Sequence, residues 1–431
     1  MNTFINNMAN IKYKIYNVIA LLIFTYSLNN CTTPISSIET STLKNYEYFK
    51  SLLSSVLESI SDRKFSLYNK EIKWAEGITL INTSFDLELV DYYGNRDFLQ
   101  GKQAITSRKD LYTFLKIVHN YKFNYKYILI DISLDSKGIA YDDSLSVLIP
   151  KMSNIVIAKT KKVGIMTALE SKSGFVDYFK MPYETGFVKY IFGTQDEPSL
   201  ALRIYNERNR RNAIKSIGGI LYFDGWKLCQ NVGTIDYKVR FIETEDDLSD
   251  SLRTGNIYAY QNLGTDFYKE DSTLGDNRVN KVEKVKRCCE NKIVVIGQFF
   301  GDDDKHDTYV GEMPGALINL NAYLYLQDGK HIVKIHYFLL LFVFYLSLYV
   351  FIEKKQKLCT SLKGKFSILH SDFIRILLTL VGWGFFFNIV ALILYIIFEV
   401  YFNPWYPTIW FTFIPKCVKL TQSIIQKENE K

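Results

Sequence analysis

The uncharged run Ile376–Phe398 constrains this chain more than any other feature. Soluble helices rarely go so far without a charge, and the run is long enough to cross a hydrocarbon core of ~30 Å. Three further apolar runs accompany it: Ile15–Leu28, Tyr337–Ile352 and Trp405–Pro415. Tyr337–Ile352 is short for a span but carries Tyr and Phe at both ends, which suits a membrane interface. Lys354, Lys355, Lys357, Lys363, Lys365 and Arg375 crowd the connection 354–375 between the second and third runs. A connection with that excess of basic residues stays in the cytoplasm. Together with Lys12 and Lys14 before the first run, this predicts a multi-pass protein of the cell (inner) membrane, with its N-terminus inside and residues 32–336 extracytoplasmic. Two to three transmembrane helices are expected over 337–420, ahead of a short tail, 421–431.

Residues 1–31 admit three readings: an uncleaved anchor, a cleaved signal peptide, or a lipoprotein signal with Cys31 as the lipidated residue. Each sends the following segment out of the cytoplasm. The formal charge of +7 is modest, and much of it flanks apolar runs, which reads as topology and not as a nucleic-acid footprint. Six cysteines in 431 residues exclude a disulfide scaffold; Cys288 and Cys289 lack zinc spacing, and outside the cytoplasm each either pairs elsewhere, for example with Cys229, or stays unpaired.

Residues 32–336 hold no uncharged spanning run and have to fold in water. Gly77–Phe85, Tyr127–Ile132, Asn154–Ala158 and Lys292–Gly297 are continuous apolar stretches, the pattern of strands buried on both faces. Between them, Ser107–Val118, Asp142–Ile149, Pro198–Asn206 and Pro314–Leu326 read as helices. Ser107 and Asp110 form a capping pair, Pro150 stops the second helix, and Gly329 lies beyond the end of the fourth. This alternation predicts an α/β fold: a largely parallel sheet with flanking helices. Lys161–Glu197 and Asp246–Lys286 read as polar, irregular insertions.

Signatures of nucleotide hydrolases, dinucleotide enzymes, α/β-hydrolases and zincins are absent. The ligand-binding candidates are Asp131, Asp142, Asp302, His306, Asp307 and Thr308. Asp131 ends a strand, and ligands of open parallel sheets sit beyond the strands' carboxyl ends, so Asp131, Asp142 and Asp143 are placed to face a crevice. The alternative is structural: Asp131 accepts backbone N–H bonds at the strand end and Asp142 starts a helix. Gly301–Thr308 offers oxygen ligands and one His, but its spacing does not fit an EF-hand loop. The other reading of that loop has Asp307 and Thr308 bracing a turn, and no metal or cofactor is expected.

Three segments stand in order: Tyr127–Ile132, Asn291–Gly297, and His306–Ala322, which contains Met313-Pro314-Gly315 and ends on Asn321-Ala322. In this order they resemble the second CHASE family, the extracytoplasmic sensory domain associated with bacterial cyclases, histidine kinases and serine/threonine kinases. Asp236–Phe241 is similar to that family's middle strand. The resemblance covers about residues 75–335 and the apolar runs after it, and Met-Pro-Gly is its most specific piece. It implies that Gly297, Met313, Pro314, Gly315, Asn321 and Ala322 are structural motif residues. It also implies an unknown extracytoplasmic ligand and a membrane-borne signal. Only Lys416–Lys431 follow the last apolar run, so the expectation is a sensor without catalysis of its own, acting through a separate signalling partner. Competing readings are an extracytoplasmic metal-dependent hydrolase built on Asp302–Asp307 and a structural docking subunit of a membrane complex.

Overall fold

The structure is a computed structural model. It describes residues 14–26, 42–46, 48–49, 77–93, 99–132, 134, 139–160, 165–176, 189–193, 197–209, 214–217, 221–235, 237, 239, 260–264, 277–300, 304–308, 310–361, 372–398 and 403–413. The chain divides into two compact bodies. One comprises Pro34–Lys227 with Asn231–His331; the other comprises Met1–Thr33, Leu228–Gln230 and Ile332–Lys431.

The first body is built on a six-stranded parallel sheet. Its strands are β1 (Ile78–Asn82), β2 (Tyr127–Asp131), β3 (Ile155–Lys159), β4 (Ser173–Phe175), β5 (Tyr260–Asn262) and β6 (Ile293–Gly297). They lie in the order β5-β1-β6-β2-β3-β4, and every neighbouring pair is parallel. β1 and β6 are buried at every position, which is why the sequence shows runs there and not alternation. One face carries α1 (Arg108–Asn120), α2 (Asp142–Leu148) and α4 (Asn277–Cys289), the other α3 (Leu200–Arg208) and α5 (Gly315–Gln327). The result is a three-layer α/β/α fold.

The first core joins Leu111, Phe114, Leu115 and Val118 of α1 and Leu145 of α2 to Ile128, Ile130, Val294 and Ile296 of the sheet. The Ser107 hydroxyl caps α1 by accepting from the Asp110 N–H at 3.3 Å. Helix α2 gives way at Ile149 to a 3₁₀ turn, Ile149–Lys151, that contains Pro150. Helix α5 is buried all round from Gly315 to Leu326, as a central helix must be. It ends in a Schellman motif: Lys330 N–H reaches Tyr325 O at 3.2 Å, Gly329 N–H reaches Leu326 O at 3.0 Å, and Gly329 takes φ +69°.

The stretches read as irregular insertions carry regular elements: Lys161–Glu197 supplies edge strand β4 and the short strand Lys189–Ile191. The stretch Asp246–Lys286 is not simply irregular, since it supplies edge strand β5 and most of α4. The signal in α4 is faint because only Val279, Val282 and Val285, then Cys288 and Cys289, interrupt a basic, polar helix. Cys229, Cys288 and Cys289 carry thiols, and Cys288 donates to Gln261 Oε1 at 2.9 Å. An antiparallel hairpin, Leu87–Tyr93 with Leu99–Thr106, precedes α1; its polar alternation gave it no continuous run to read. The segment likened to a middle strand, Asp236–Phe241, is described only at Tyr237 and Val239.

The second body gathers an amino-terminal helix, Lys14–Tyr26, with α6 (Ile335–Ser361), α7 (Asp372–Phe398) and a helix at 405–413. Aromatic rings join them: Phe24 with Trp410 at 5.3 Å, Trp383 with Phe411 at 5.4 Å, and Phe387 with Phe411 at 5.7 Å. Trp410 Nε1 donates to the Tyr349 hydroxyl at 2.9 Å. Among the described residues one helix is long and apolar enough to cross a membrane, at Thr379–Ile396; Lys14–Tyr26 and Ile335–Phe351 are shorter apolar helices. Cys31 and 414–431 lie outside the described residues, as do 362–371 within the basic connection.

Candidate functional site

Strands β6 and β2 are neighbours whose chain exits diverge. β6 leads through a hairpin into α5 on one face, and β2 leads to α2 on the other. Such a switch point at the carboxyl ends of parallel strands is where an open sheet receives ligands. The two terminal residues there, Asp131 of β2 and Gly297 of β6, are register partners.

Gly297 is a steric requirement. A Cβ built on it would lie 2.8 Å from Ala316 Cβ, so its absence and the small Ala316 let the first turn of α5 approach the sheet. Gly315 has a similar role against Asp304, whose carboxylate oxygens would stand 2.9 and 3.0 Å from a Cβ at 315. The Asp304 carbonyl also accepts the Gly315 N–H at 2.9 Å.

A polar relay crosses this point. The Tyr190 hydroxyl donates to Asn319 Oδ1 at 2.7 Å, and Asn319 Nδ2 donates to Asp131 Oδ2 at 2.9 Å. Burial, and next the Asp304 carboxylate, push the Asp131 pKa up to about 7, and the Asn319 hydrogen bond only partly offsets them. Burial also raises the Tyr190 phenol, which stays a neutral donor. Asp131 is therefore a carboxyl that takes up and releases a proton near neutrality while Asn319 holds it in place. It can accept a hydrogen bond or a positive charge from a ligand, and binding a cationic group would displace its proton.

The other candidates fall into place around it or away from it. His306 is half-buried in the hairpin Lys305–Thr308 with Gly311–Pro314, its Nε2 3.6 Å from Asp304 Oδ1. Asp307 is exposed on the same hairpin. The Thr308 hydroxyl donates to Gly311 O at 2.5 Å and accepts from Val310 N–H at 3.2 Å, bracing the turn. Asp302 lies outside the described residues, and among those described no three His, Cys, Asp or Glu side chains are grouped to hold a metal ion. Asp142 is not turned to Asp131. It is buried at the start of α2, ion-paired with Arg108 Nε at 3.3 Å, and it accepts the Ile139 N–H at 3.1 Å.

Met313 is buried, Pro314 caps α5, and Ala322 is fully buried. Asn321 clamps the backbone at Val239: its Oδ1 accepts the Val239 N–H and its Nδ2 donates to Val239 O, both at 2.9 Å. Sequence reasoning missed Asn319 and Tyr190, and took Asp304 only as one of the oxygen ligands of the loop Gly301–Thr308. Asn319 had a usable signal, since two Asn residues inside an otherwise apolar helix need buried partners. Tyr190 had none. It sits on the short strand Lys189–Ile191, inside a stretch read as an insertion.

A second cluster closes this body near its last residue. The buried His331 Nε2 lies 3.2 Å from Asp224 Oδ2, which also accepts the Tyr205 hydroxyl at 2.7 Å. Burial works to raise the Asp224 pKa, but the bonds to His331 and Tyr205 outweigh it and hold the carboxyl below its ordinary value. No family model matches the chain, and neither a curated protein nor a solved structure does.

Proposed function

We propose that this chain is a membrane-anchored extracytoplasmic sensory or binding protein of the CHASE type, which passes ligand binding through its apolar helices to a partner protein. The observation that carries the membrane part is the uncovered apolar surface of the helical body. Val381, Phe385, Ile389 and Ile393 recur every four residues along α7 and are exposed, Phe385 at 71%. Leu339, Val343, Val350 and Phe351 are exposed on α6. Water would disfavour such stripes, whereas lipid acyl chains would cover them.

The sensory part rests on the switch-point site and on connectivity. Helix α5 carries Asn319, which holds Asp131, and only residues 328–334 separate it from α6. A ligand that reorients the Asp131–Asn319 pair biases α5, and a bias in α5 is felt at the start of α6. Orientation follows from the basic connection at 354–375.

Impermeant thiol labelling of intact cells tests the reading, with Cys31, Cys359 and Cys417 replaced by Ser. Lys151→Cys, on an exposed turn, should label, and Ser361→Cys should be protected until the membrane is opened. The reverse pattern would sink the extracytoplasmic sensor.

A further inference from the structure

Trp226 is 99% exposed, the extreme among the large hydrophobic side chains of the described residues. It occupies a two-residue turn after Leu221–Asp224, with Gly225 at φ +62° in the first central position. That geometry needs glycine and presents the second central residue outward. A Trp held fully in water at a rigid tip has no structural purpose within its own body.

The chain on either side says what it meets. Two residues later it joins the helical body, where Leu228 O accepts the Val333 N–H at 2.9 Å and Cys229 O accepts the Tyr26 hydroxyl at 2.8 Å. Tyr26 is the last residue of the amino-terminal apolar helix, and Val333 stands just before α6. Both mark one end of the apolar layer, the end where an aromatic hydroxyl belongs. Three residues of chain reach at most about 11 Å, so Trp226 cannot be far from that boundary. Lys227, exposed beside Trp226, supplies positive charge there.

We propose that Trp226 inserts into the headgroup layer of an anionic phospholipid leaflet, with Lys227 on the lipid phosphates. The indole suits that layer because its ring is apolar and its N–H needs a polar partner. The turn would then tether the sensory body to the bilayer surface. This rests on the membrane reading above, and the experiment separates the two.

The full chain is placed in nanodiscs of phosphatidylcholine with phosphatidylglycerol, and Trp226 emission is taken as the difference between wild type and Trp226→Phe. Spin-labelled lipids with shallow or deep labels, and aqueous acrylamide, are the quenchers. The expected result is Trp226 emission quenched at least twofold more by the shallow label than by the deep one, with acrylamide access reduced. Lys227→Gln should weaken that quenching, as should discs of phosphatidylcholine alone. If Trp226 stays open to acrylamide while Trp383, Trp405 and Trp410 are quenched by lipid labels, the proposal fails and the membrane reading stands. If none of the four responds to lipid labels, both fail. Trp226 shielding that appears only as protein concentration rises would assign the tip to a second copy and also overturn the proposal.

Discussion

Replacing Asp131 with Asn should make the α/β body more stable above neutral pH, and the size of the gain follows from its surroundings. Burial, with the Asp304 carboxylate, raises its pKa from 3.8 to about 7. At ~1.4 kcal/mol per unit, the ceiling on the penalty of ionising it in the fold is about 4 kcal/mol. The sign is that of an acid whose folded pKa lies above its unfolded one. Between those two values the folded state holds more protons than the unfolded chain, so stability falls as pH rises through that window and levels off above about 7. Between pH 5 and pH 8 this amounts to about 2–3 kcal/mol, nearer the lower figure because Asp131 keeps some contact with water. An amide at this position stays neutral and keeps an oxygen for the Asn319 Nδ2 donor, so the variant should lose that pH slope and gain about 2 kcal/mol at pH 8. Urea titration of the full chain in nanodiscs at both pH values, followed by circular dichroism of the sheet, measures it through the midpoints. Equal pH slopes in wild type and variant, or an Asp131→Asn protein less stable than wild type at pH 8, would refute the reasoning.

Other substitutions probe the framework that holds the site. Gly297→Ala puts a methyl 2.8 Å from Ala316 Cβ and should lower stability by about 1–3 kcal/mol, read as a shift in urea midpoint. Asn321→Leu leaves the Val239 N–H and C=O without the side chain that pairs both, an expected loss of about 2–4 kcal/mol in the same assay. His331→Ala strips the buried Asp224 carboxylate of one partner and should destabilise by about 2–4 kcal/mol, with Tyr205 retaining part of the bond. Because Asp224 is held below its ordinary pKa, its stabilisation is present above about pH 4 and lost as pH falls through its folded value. The His331→Ala protein should therefore show a weaker acid-induced loss than wild type.

The sheet was legible because it is parallel and buried. Ile78–Asn82, Tyr127–Asp131, Ile155–Lys159 and Ile293–Gly297 are continuous apolar runs, and no exposed strand of an antiparallel sheet reads that way. Short strands such as β4 and β5 carry too few residues to show any period, and their place in the sheet is decided by neighbours far away in sequence. Asp131 was readable for the same reason as its strand, by ending an apolar run, whereas Asp142 was readable only as a helix start. Its buried partner Arg108 lies 34 positions earlier, and no local pattern links the two. The hairpin Lys305–Pro314 hid Asp304 from view because three consecutive Asp residues look alike in sequence, and only folding sets the third against Gly315.

On the proposed reading, the two asparagines of α5 have different roles. Asn321 is held chiefly by backbone, from Val239 and Leu317, with the Met313 sulfur at 3.9 Å. Asn319 is satisfied by two side chains, Tyr190 and Asp131, and one of these changes charge near neutrality. When Asp131 is ionised, the Asn319 Nδ2 bond becomes charge-assisted and strengthens; when a cationic group shares the carboxylate, that bond has to weaken or reorient. Both atoms sit near the start of a helix that is buried on every side, and a packed helix shifts as a unit more readily than it bends. Its far end carries the Schellman cap at Gly329 and, one residue past Lys330, the contact of His331 with Asp224. On the proposed reading, displacement at Asn319 passes along the chain from His331 to Ile335, where the first apolar residues of α6 begin. On the proposed reading, breaking the His331–Asp224 link should leave ligand occupancy at Asp131 intact and uncouple it from α6. A spin label at Ile335 would then stop responding to the ligand in the His331→Ala protein while Asp131-dependent binding persists. A label that still responds would place the coupling elsewhere than this connector.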